Sequence, residues 1–146
     1  MIEILIKRLS KNIPLPKYET SGSSGMDLAA NIEKSVKIEP GKMSVIPTGI
    51  SLSIPQNFEI QIRPRSGLAA KNQISVLNTP GTIDADYRGE IKVILINLGD
   101  KTFVVEKGAR IAQMVLCPVV KAELREVDSL ETTKRGSGGF GSTGTN

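Results

Sequence analysis

The chain has 146 residues and a net charge of +4, a length that suits one domain with a sizeable core. It contains no histidine, which excludes imidazole general bases, Ser-His-Asp triads and histidine metal sites. The single cysteine excludes an intrachain disulfide, and the moderate basic charge suits either nucleic acid or a polyphosphate ligand. Because only two tyrosines and three phenylalanines are present, few rings are available to stack on single-stranded nucleic acid.

The N-terminal apolar run, residues 2–6, is too short for a signal peptide and contains a charge. No stretch approaches the roughly 20 apolar residues of a membrane-spanning helix. Because no disulfide requires an oxidising compartment, we expect a soluble, cytoplasmic protein with no membrane contact.

Short runs of alternating apolar residues, separated by Pro-Gly and Lys-Gly turn signals, predict an all-β fold along most of the chain. Seventeen isoleucines are available to fill its core. One short helix is expected over residues 66–71, directly after Pro64 and Arg65. The predicted strands lie near residues 2–6, 36–38, 50–54, 58–62, 91–96, 104–105, 111–116 and 119–127.

After Val127 the apolar pattern stops, and the chain ends in a glycine-rich segment. Five of the fourteen glycines fall in the last eleven residues. We predict a β-barrel domain over residues 1–127 and a flexible C-terminal arm over residues 128–146. Fully extended, the arm would reach roughly 60 Å at about 3.3 Å per residue. It is long enough to cover its own domain or to reach a neighbouring subunit.

The arm contains a literal G-x-G-x-x-G at Gly136, Gly138 and Gly141, but too few residues follow for the helix of a dinucleotide fold. A plain disordered terminus is the alternative. Amides of glycine, serine and threonine can nevertheless cradle an anion, while Arg135 adds a charged fork and Phe140 can stack on a planar ring. These groups together suit a nucleotide polyphosphate.

Three further segments carry polar residues that a barrel core does not need. Residues 65–67, Arg-Ser-Gly, open the predicted helix, where anions are favoured, although the serine could equally act as a helix cap. Asp84 and Asp86 share a face beside Tyr87, in a turn where two acids are more commonly just solvated. Asp27 lies in an apolar stretch, where its charge needs a partner.

These segments, taken in order, closely resemble the five motifs of the trimeric dUTP pyrophosphatases (dUTPases). The resemblance covers nearly the whole chain, and its one departure is Ser24, where the family commonly has another small residue, alanine. It implies a jelly-roll-like distorted β-barrel with one short helix and a glycine-rich C-terminal arm. It also implies a homotrimer with shared active sites. The matching segments are SGMDLAA (24–30), PRSGLA (64–69), GTIDADYRGE (81–90), GARIAQ (108–113) and RGSGGFGSTG (135–144).

The resemblance implies hydrolysis of dUTP to dUMP and pyrophosphate, which limits uracil incorporation into DNA and supplies dUMP for dTMP synthesis. It assigns Asp84 to activating the water that attacks the α-phosphate and to bonding the 3′-hydroxyl; a carboxylate base suits a chain without histidine. Gln113 would lie near the α-phosphate and that water. Tyr87 would pack under the deoxyribose and exclude a 2′-hydroxyl. Mg²⁺ is implied on the phosphate oxygens, with Asp27 reaching it only through water.

The other substrate contacts implied by the resemblance form three groups. The hairpin of the third motif, with the Asn78 amide, would recognise uracil, and Lys92, just beyond that motif, would be a further substrate contact. The second motif would hold the triphosphate. The arm would clamp the β- and γ-phosphates and stack on the base. Arg110 is expected to form a structural ion pair. The residues of the three groups are Asn78, Gly81, Thr82, Ile83 and Lys92, then Arg65, Ser66 and Gly67, then Arg135, Phe140, Gly141, Ser142 and Thr143.

Two other functions compete with this interpretation. A dCTP deaminase shares the fold and the triphosphate site, but needs additional groups at the base and lacks this glycine-rich ending. A catalytically silent β-barrel that binds nucleic acid or protein predicts degraded motifs at Asp84 or Tyr87, and both are intact. The sequence therefore favours a dUTPase with no stable nucleic-acid binding.

Overall fold

Short strands dominate the computed structural model, which describes residues 1–140. Within that range they number eleven, with one helix, so the predicted all-β class is confirmed. The elements are β1 (Leu5–Arg8), β2 (Met26–Ala29), β3 (Val36–Ile38), β4 (Met43–Pro47), β5 (Ile50–Ser53), β6 (Phe58–Arg63), α1 (Ser66–Asn72), β7 (Ile74–Val76), β8 (Gly81–Ile83), β9 (Lys92–Asn97), β10 (Phe103–Val105) and β11 (Arg110–Pro118).

All strand pairs are antiparallel and form four small sheets around one core. The largest has the order β2-β11-β6-β8, the next β4-β9-β7, and the remaining two pair β1 with β5 and β3 with β10. Among residues 1–140 the sheets do not close into one hydrogen-bonded barrel, and the arrangement is of the jelly-roll-like class. β8 is left as an edge strand of the largest sheet.

Aliphatic side chains fill the core, as the isoleucine content predicts. Ile46, Ile60 and Ile91 are fully buried, and so are Val93 and Leu95 of β9. The alternation that marked the predicted strands thus identifies residues that point between the sheets.

The helix α1 begins at Ser66 and ends one residue beyond its predicted end. The alternative role of Ser66 as a helix cap is wrong: Arg65 is the N-cap residue, in extended conformation and without a side-chain cap bond. Gln73 ends the helix in left-handed conformation. In the part of the chain that the structure describes, no helix is long and apolar enough to cross a membrane.

The strand predicted over residues 119–127 is absent. β11 ends at Pro118, and the following segment has no regular secondary structure and is mostly exposed, with Val120 and Leu124 each 94% accessible. A strand forms only where a neighbouring strand pairs with it, and within residues 1–140 this segment pairs with no strand. Its one backbone hydrogen bond to the rest of the fold runs from Val119 N to Asn57 O at 2.8 Å. The N-terminal strand is also shifted from residues 2–6 to Leu5–Arg8, where it pairs with β5.

Candidate active site

A small, partly open pocket lies between the edge strand β8 and the β7–β9 pair. Gly81 is buried there, and a Cβ at this position would lie 3.2 Å from Asn78 Nδ2 and 3.3 Å from Ile62 Cβ. Glycine therefore lets the Asn78 amide lie close to the β8 backbone. The structure brings together in this pocket the predicted base-contacting residues and the added contact, Asn78, Gly81, Thr82, Ile83 and Lys92, beside the apolar Ile62, Val76 and Ile94.

The turn that follows β8 carries both exposed carboxylates, Asp84 and Asp86. Its backbone closes with a hydrogen bond from Tyr87 N to Asp84 O at 3.1 Å, and the Tyr87 hydroxyl donates to Glu90 O at 3.0 Å. Asp84 lines a wide, open cleft together with Lys121, on another side of the turn from the small pocket. The turn thus lies between the small pocket and the open cleft that the exposed Asp84 carboxylate lines.

Asp27 on β2 is the centre of a second polar group. Its Oδ1 accepts a hydrogen bond from Arg65 Nε at 3.0 Å, and its Oδ2 accepts one from Arg110 Nη1 at 3.1 Å. Arg65 Nη1 also donates to the Arg110 carbonyl at 3.2 Å. The partner that the charge of Asp27 requires is therefore a pair of arginines, and the ion pair expected of Arg110 is made within the chain.

We expect Asp27→Ala to lower the free energy of unfolding by about 2 kcal/mol, because two charge-assisted hydrogen bonds are lost and the two neighbouring guanidinium groups lose their carboxylate. The control is Glu33→Ala, whose carboxylate pairs with Lys107 at 3.5 Å but is 92% exposed. That change should cost less than about 0.5 kcal/mol. Urea denaturation at one protein concentration measures both. Equal losses in the two variants would contradict the importance of the Asp27 group.

Gln113 lies beside this group because β11 pairs it with Asp27 on one side and with Arg63 on the other. Directly paired residues of antiparallel strands share a face of the sheet. The Gln113 Nε2 donates to Pro64 O at 3.0 Å, and a Cβ on Gly25 would lie 2.6 Å from Gln113 Oε1. Gly25 therefore leaves room for the Gln113 side chain. The sequence alone does not reveal this role of Gly25, because residues 25 and 113 become neighbours only in the folded chain.

The remaining predicted residues lie in two places. Ser66 and Gly67 are exposed at the start of α1, next to Arg65. In the arm, Arg135 Nε donates to Gly138 O at 2.8 Å and Phe140 is fully exposed. Among residues 1–140, the hydrogen bonds of the segment after Val119 join it only to itself.

Within one chain, the predicted substrate residues therefore form three groups. These are the small pocket with its turn, the Asp27 group with the start of α1, and the arm. The last three of the arm residues lie outside the described residues: Gly141, Ser142 and Thr143.

The dUTPase family matches residues 11–144. A deoxyuridine 5′-triphosphate nucleotidohydrolase of Rickettsia bellii is 58% identical over 97% of this chain and 95% of its own, and one of Brucella melitensis biotype 2 is 56% identical over 93% and 88%. The structure of the Staphylococcus bacteriophage 80alpha dUTPase G164S mutant with dUpNHpp superposes with a TM-score of 0.87 at 27% identity, covering 98% of this chain and 99% of that one.

The fold is of the jelly-roll-like class, and the similar curated proteins are nucleotide hydrolases. More particularly, the chain belongs to the dUTPase family, whose members are dUTP diphosphatases.

Proposed function

We propose that this chain hydrolyses dUTP to dUMP and pyrophosphate by attack of an Asp84-activated water on the α-phosphate. The observation that carries the proposal is the small pocket, where an amide and the β8 backbone meet an apolar wall, beside the turn that holds Asp84 and Tyr87. The reaction would keep uracil out of DNA and supply dUMP for dTMP synthesis.

Uracil suits the small pocket for chemical reasons. Its edge offers one N–H donor and two carbonyl acceptors, and the Asn78 amide has both an acceptor and donors to answer them. Backbone groups of Thr82 and Ile83 line the same recess. A base with mismatched polar groups would leave buried groups unpaired, and a 5-methyl group would need space that Ile62 and Val76 occupy.

Arg65 is oriented to hold phosphate. Its Nε donates to Asp27 and its Nη1 donates to the Arg110 carbonyl, while its Nη2 has no hydrogen-bond acceptor among residues 1–140. A guanidinium held in this way presents its remaining donors in a fixed direction, beside Ser66 and the Gly67 amide. Gln113, fixed by its bond to Pro64, would contact the α-phosphate and the attacking water.

In the reaction, the Asp84 carboxylate takes a proton from water as the water oxygen bonds to the α-phosphorus. The bond from that phosphorus to the α–β bridging oxygen then breaks, and pyrophosphate leaves with the electron pair. Tyr87 packs under the deoxyribose and leaves no room for a 2′-hydroxyl, while Arg135 and the arm amides hold the β- and γ-phosphates. Phe140 stacks on the base, which accounts for a large ring with no place in the core.

Mg²⁺ fits this chain only as an ion carried by the substrate. Residues 1–140 contain no group of three or more aspartates, glutamates, cysteines or histidines able to hold a metal. Phosphate oxygens and water would supply its ligands, with Asp27 reaching it through water, and the ion would neutralise phosphate charge.

We further propose a homotrimer with shared active sites, in the cytoplasm, built from the domain of residues 1–127 with the arm of residues 128–146 reaching a neighbour. Two observations support the assembly. The predicted substrate residues form separate groups within one chain. The apolar side chains after β11 are exposed, as is the edge strand β1, so both are available for pairing between copies. A single cysteine suits a reducing compartment.

Pyrophosphate release from dUTP, dTTP, dCTP and UTP tests the function. We expect dUTP to be preferred by at least about 100-fold in kcat/KM, because each competitor adds a clash or an unpaired polar group. Equal rates on all four would overturn the proposal. Ammonia release from dCTP would support the deaminase instead.

A further inference from the structure

Tyr87 is held against its own turn by contacts that the proposed chemistry does not use. Its hydroxyl donates to the Glu90 carbonyl at 3.0 Å, although the side chain is 45% exposed. A Cβ on Gly89 would lie 2.5 Å from Tyr87 Cζ and 2.9 Å from Cε2, closer than real atoms approach. Residue 89 is therefore a glycine because the ring lies over it.

Glu90 is itself anchored to a different part of the fold. Its Oε1 accepts a hydrogen bond from the backbone N–H of Gly49 at 2.9 Å, across 41 residues of sequence. Gly49 lies in the turn between β4 and β5 with φ of +69°, and a Cβ there would lie 2.7 Å from Asn31 Nδ2. This turn is consequently confined by its neighbours, and it offers Glu90 a fixed donor.

The main chain after Glu90 is fixed by the same turn. The hydroxyl of Thr48, which is 2% exposed, donates to Ile91 O at 2.6 Å, and Ile91 N donates to Ile50 O at 2.9 Å. The Glu90 carbonyl thus lies between an anchored side chain and an anchored peptide. A relay of hydrogen bonds runs from the buried β4–β5 turn through Glu90 to the Tyr87 hydroxyl.

From this relay we infer that Glu90 is a specificity-determining positioning residue, which holds the Tyr87 ring where it excludes a ribose 2′-hydroxyl. The inference rests on the proposed function, in which Tyr87 packs under the sugar. Steric exclusion of one oxygen depends on ring placement to a fraction of an ångström, and a side chain held only by the exposed turn would yield. Glu90 supplies the rigidity by coupling the exposed turn to the core.

The experiment compares kcat/KM for dUTP with that for UTP in a set of variants. Glu90→Ala should lower this ratio by about tenfold, mainly because UTP turnover rises. Glu90→Gln keeps an acceptor for the Gly49 N–H and should stay within about twofold of the wild type. Gly89→Ala displaces the ring directly and should also lower the ratio, so the test survives if Glu90→Ala does not fold. Glu106→Ala, an exposed glutamate on another loop, is the matched control and should leave the ratio unchanged.

A double-mutant cycle with Tyr87→Phe separates positioning from general loosening of the fold. Tyr87→Phe removes the hydroxyl that donates to the Glu90 carbonyl, so Glu90 can no longer position the ring through it. Adding Glu90→Ala to Tyr87→Phe should therefore change the ratio of kcat/KM for dUTP to that for UTP by less than about twofold. A Glu90→Ala enzyme that loses activity equally on both substrates would overturn the inference while leaving the proposed function intact. A wild-type enzyme that does not prefer dUTP over UTP would overturn both.

Discussion

Replacing Asp84 with asparagine should lower kcat for dUTP hydrolysis by about 10²–10⁴-fold, because the amide cannot take a proton from the attacking water. Asparagine keeps the size of the side chain and an oxygen for the 3′-hydroxyl. Affinity for a non-hydrolysable dUTP analogue should therefore change little. Asp84 is exposed at the end of β8, so the substitution places no unpaired group in the core and the fold should persist.

Asp86→Asn is the matched control for Asp84→Asn, since Asp86 lies two residues on in the same turn, is equally exposed and lines the same cleft. It removes the same charge and should retain nearly normal turnover. Single-turnover pyrophosphate release and analogue binding by calorimetry measure the two effects. Near-normal kcat in Asp84→Asn, or an equal loss in Asp86→Asn, would remove Asp84 from the role of general base.

Removing residues 134–146 should lower kcat/KM by at least about 100-fold while the protein stays folded and assembled, because the contacts that clamp the phosphates and cover the base are lost. Within residues 1–140 the last part of the arm makes only local hydrogen bonds, from Gly136 N to Thr133 O at 3.1 Å and from Arg135 Nε to Gly138 O at 2.8 Å. Removing the described part of the arm therefore breaks no hydrogen bond to the sheets. Pyrophosphate release, sedimentation mass and thermal unfolding report the three properties.

Two neighbouring basic residues provide a sharper version of the arm experiment. Arg135→Ala should reproduce much of the truncation's loss, because a guanidinium binds phosphate through two donors, whereas Lys134→Ala should have little effect. A truncated enzyme with normal turnover would show that the arm is not part of the site. Equal effects of the two point variants would indicate general charge attraction instead of a specific contact.

Local pattern predicted much of the fold. The alternation around Ile60 and Ile62 and the apolar run through Val93 and Leu95 correspond to β6 and β9, and α1 begins where the residues after Pro64 predict. Strands β2, β4, β7 and β8 went unrecognised. A run of five residues or fewer contains too few alternations to establish a period, so strands of this length are predicted unevenly: β3 and β10 were recognised and these four were not.

Residues 119–127 show the opposite error. Their β-branched and alternating composition is that of a strand, yet among residues 1–140 the segment pairs with no strand. Composition reports the preference of a segment for extended backbone, whereas pairing depends on what lies alongside it.

By itself the sequence determined the chemistry available: a chain without histidine, with carboxylates at Asp84 and Asp27, arginines, glycines, and two rings that the core does not need. Only the tertiary structure decided which of these groups meet. It occupied both oxygens of Asp27 with arginines 38 and 83 residues away, and it joined Glu90 to a turn 41 residues earlier. Such contacts arise from strand pairing across long separations, and a pattern with a period of two residues carries no information about them.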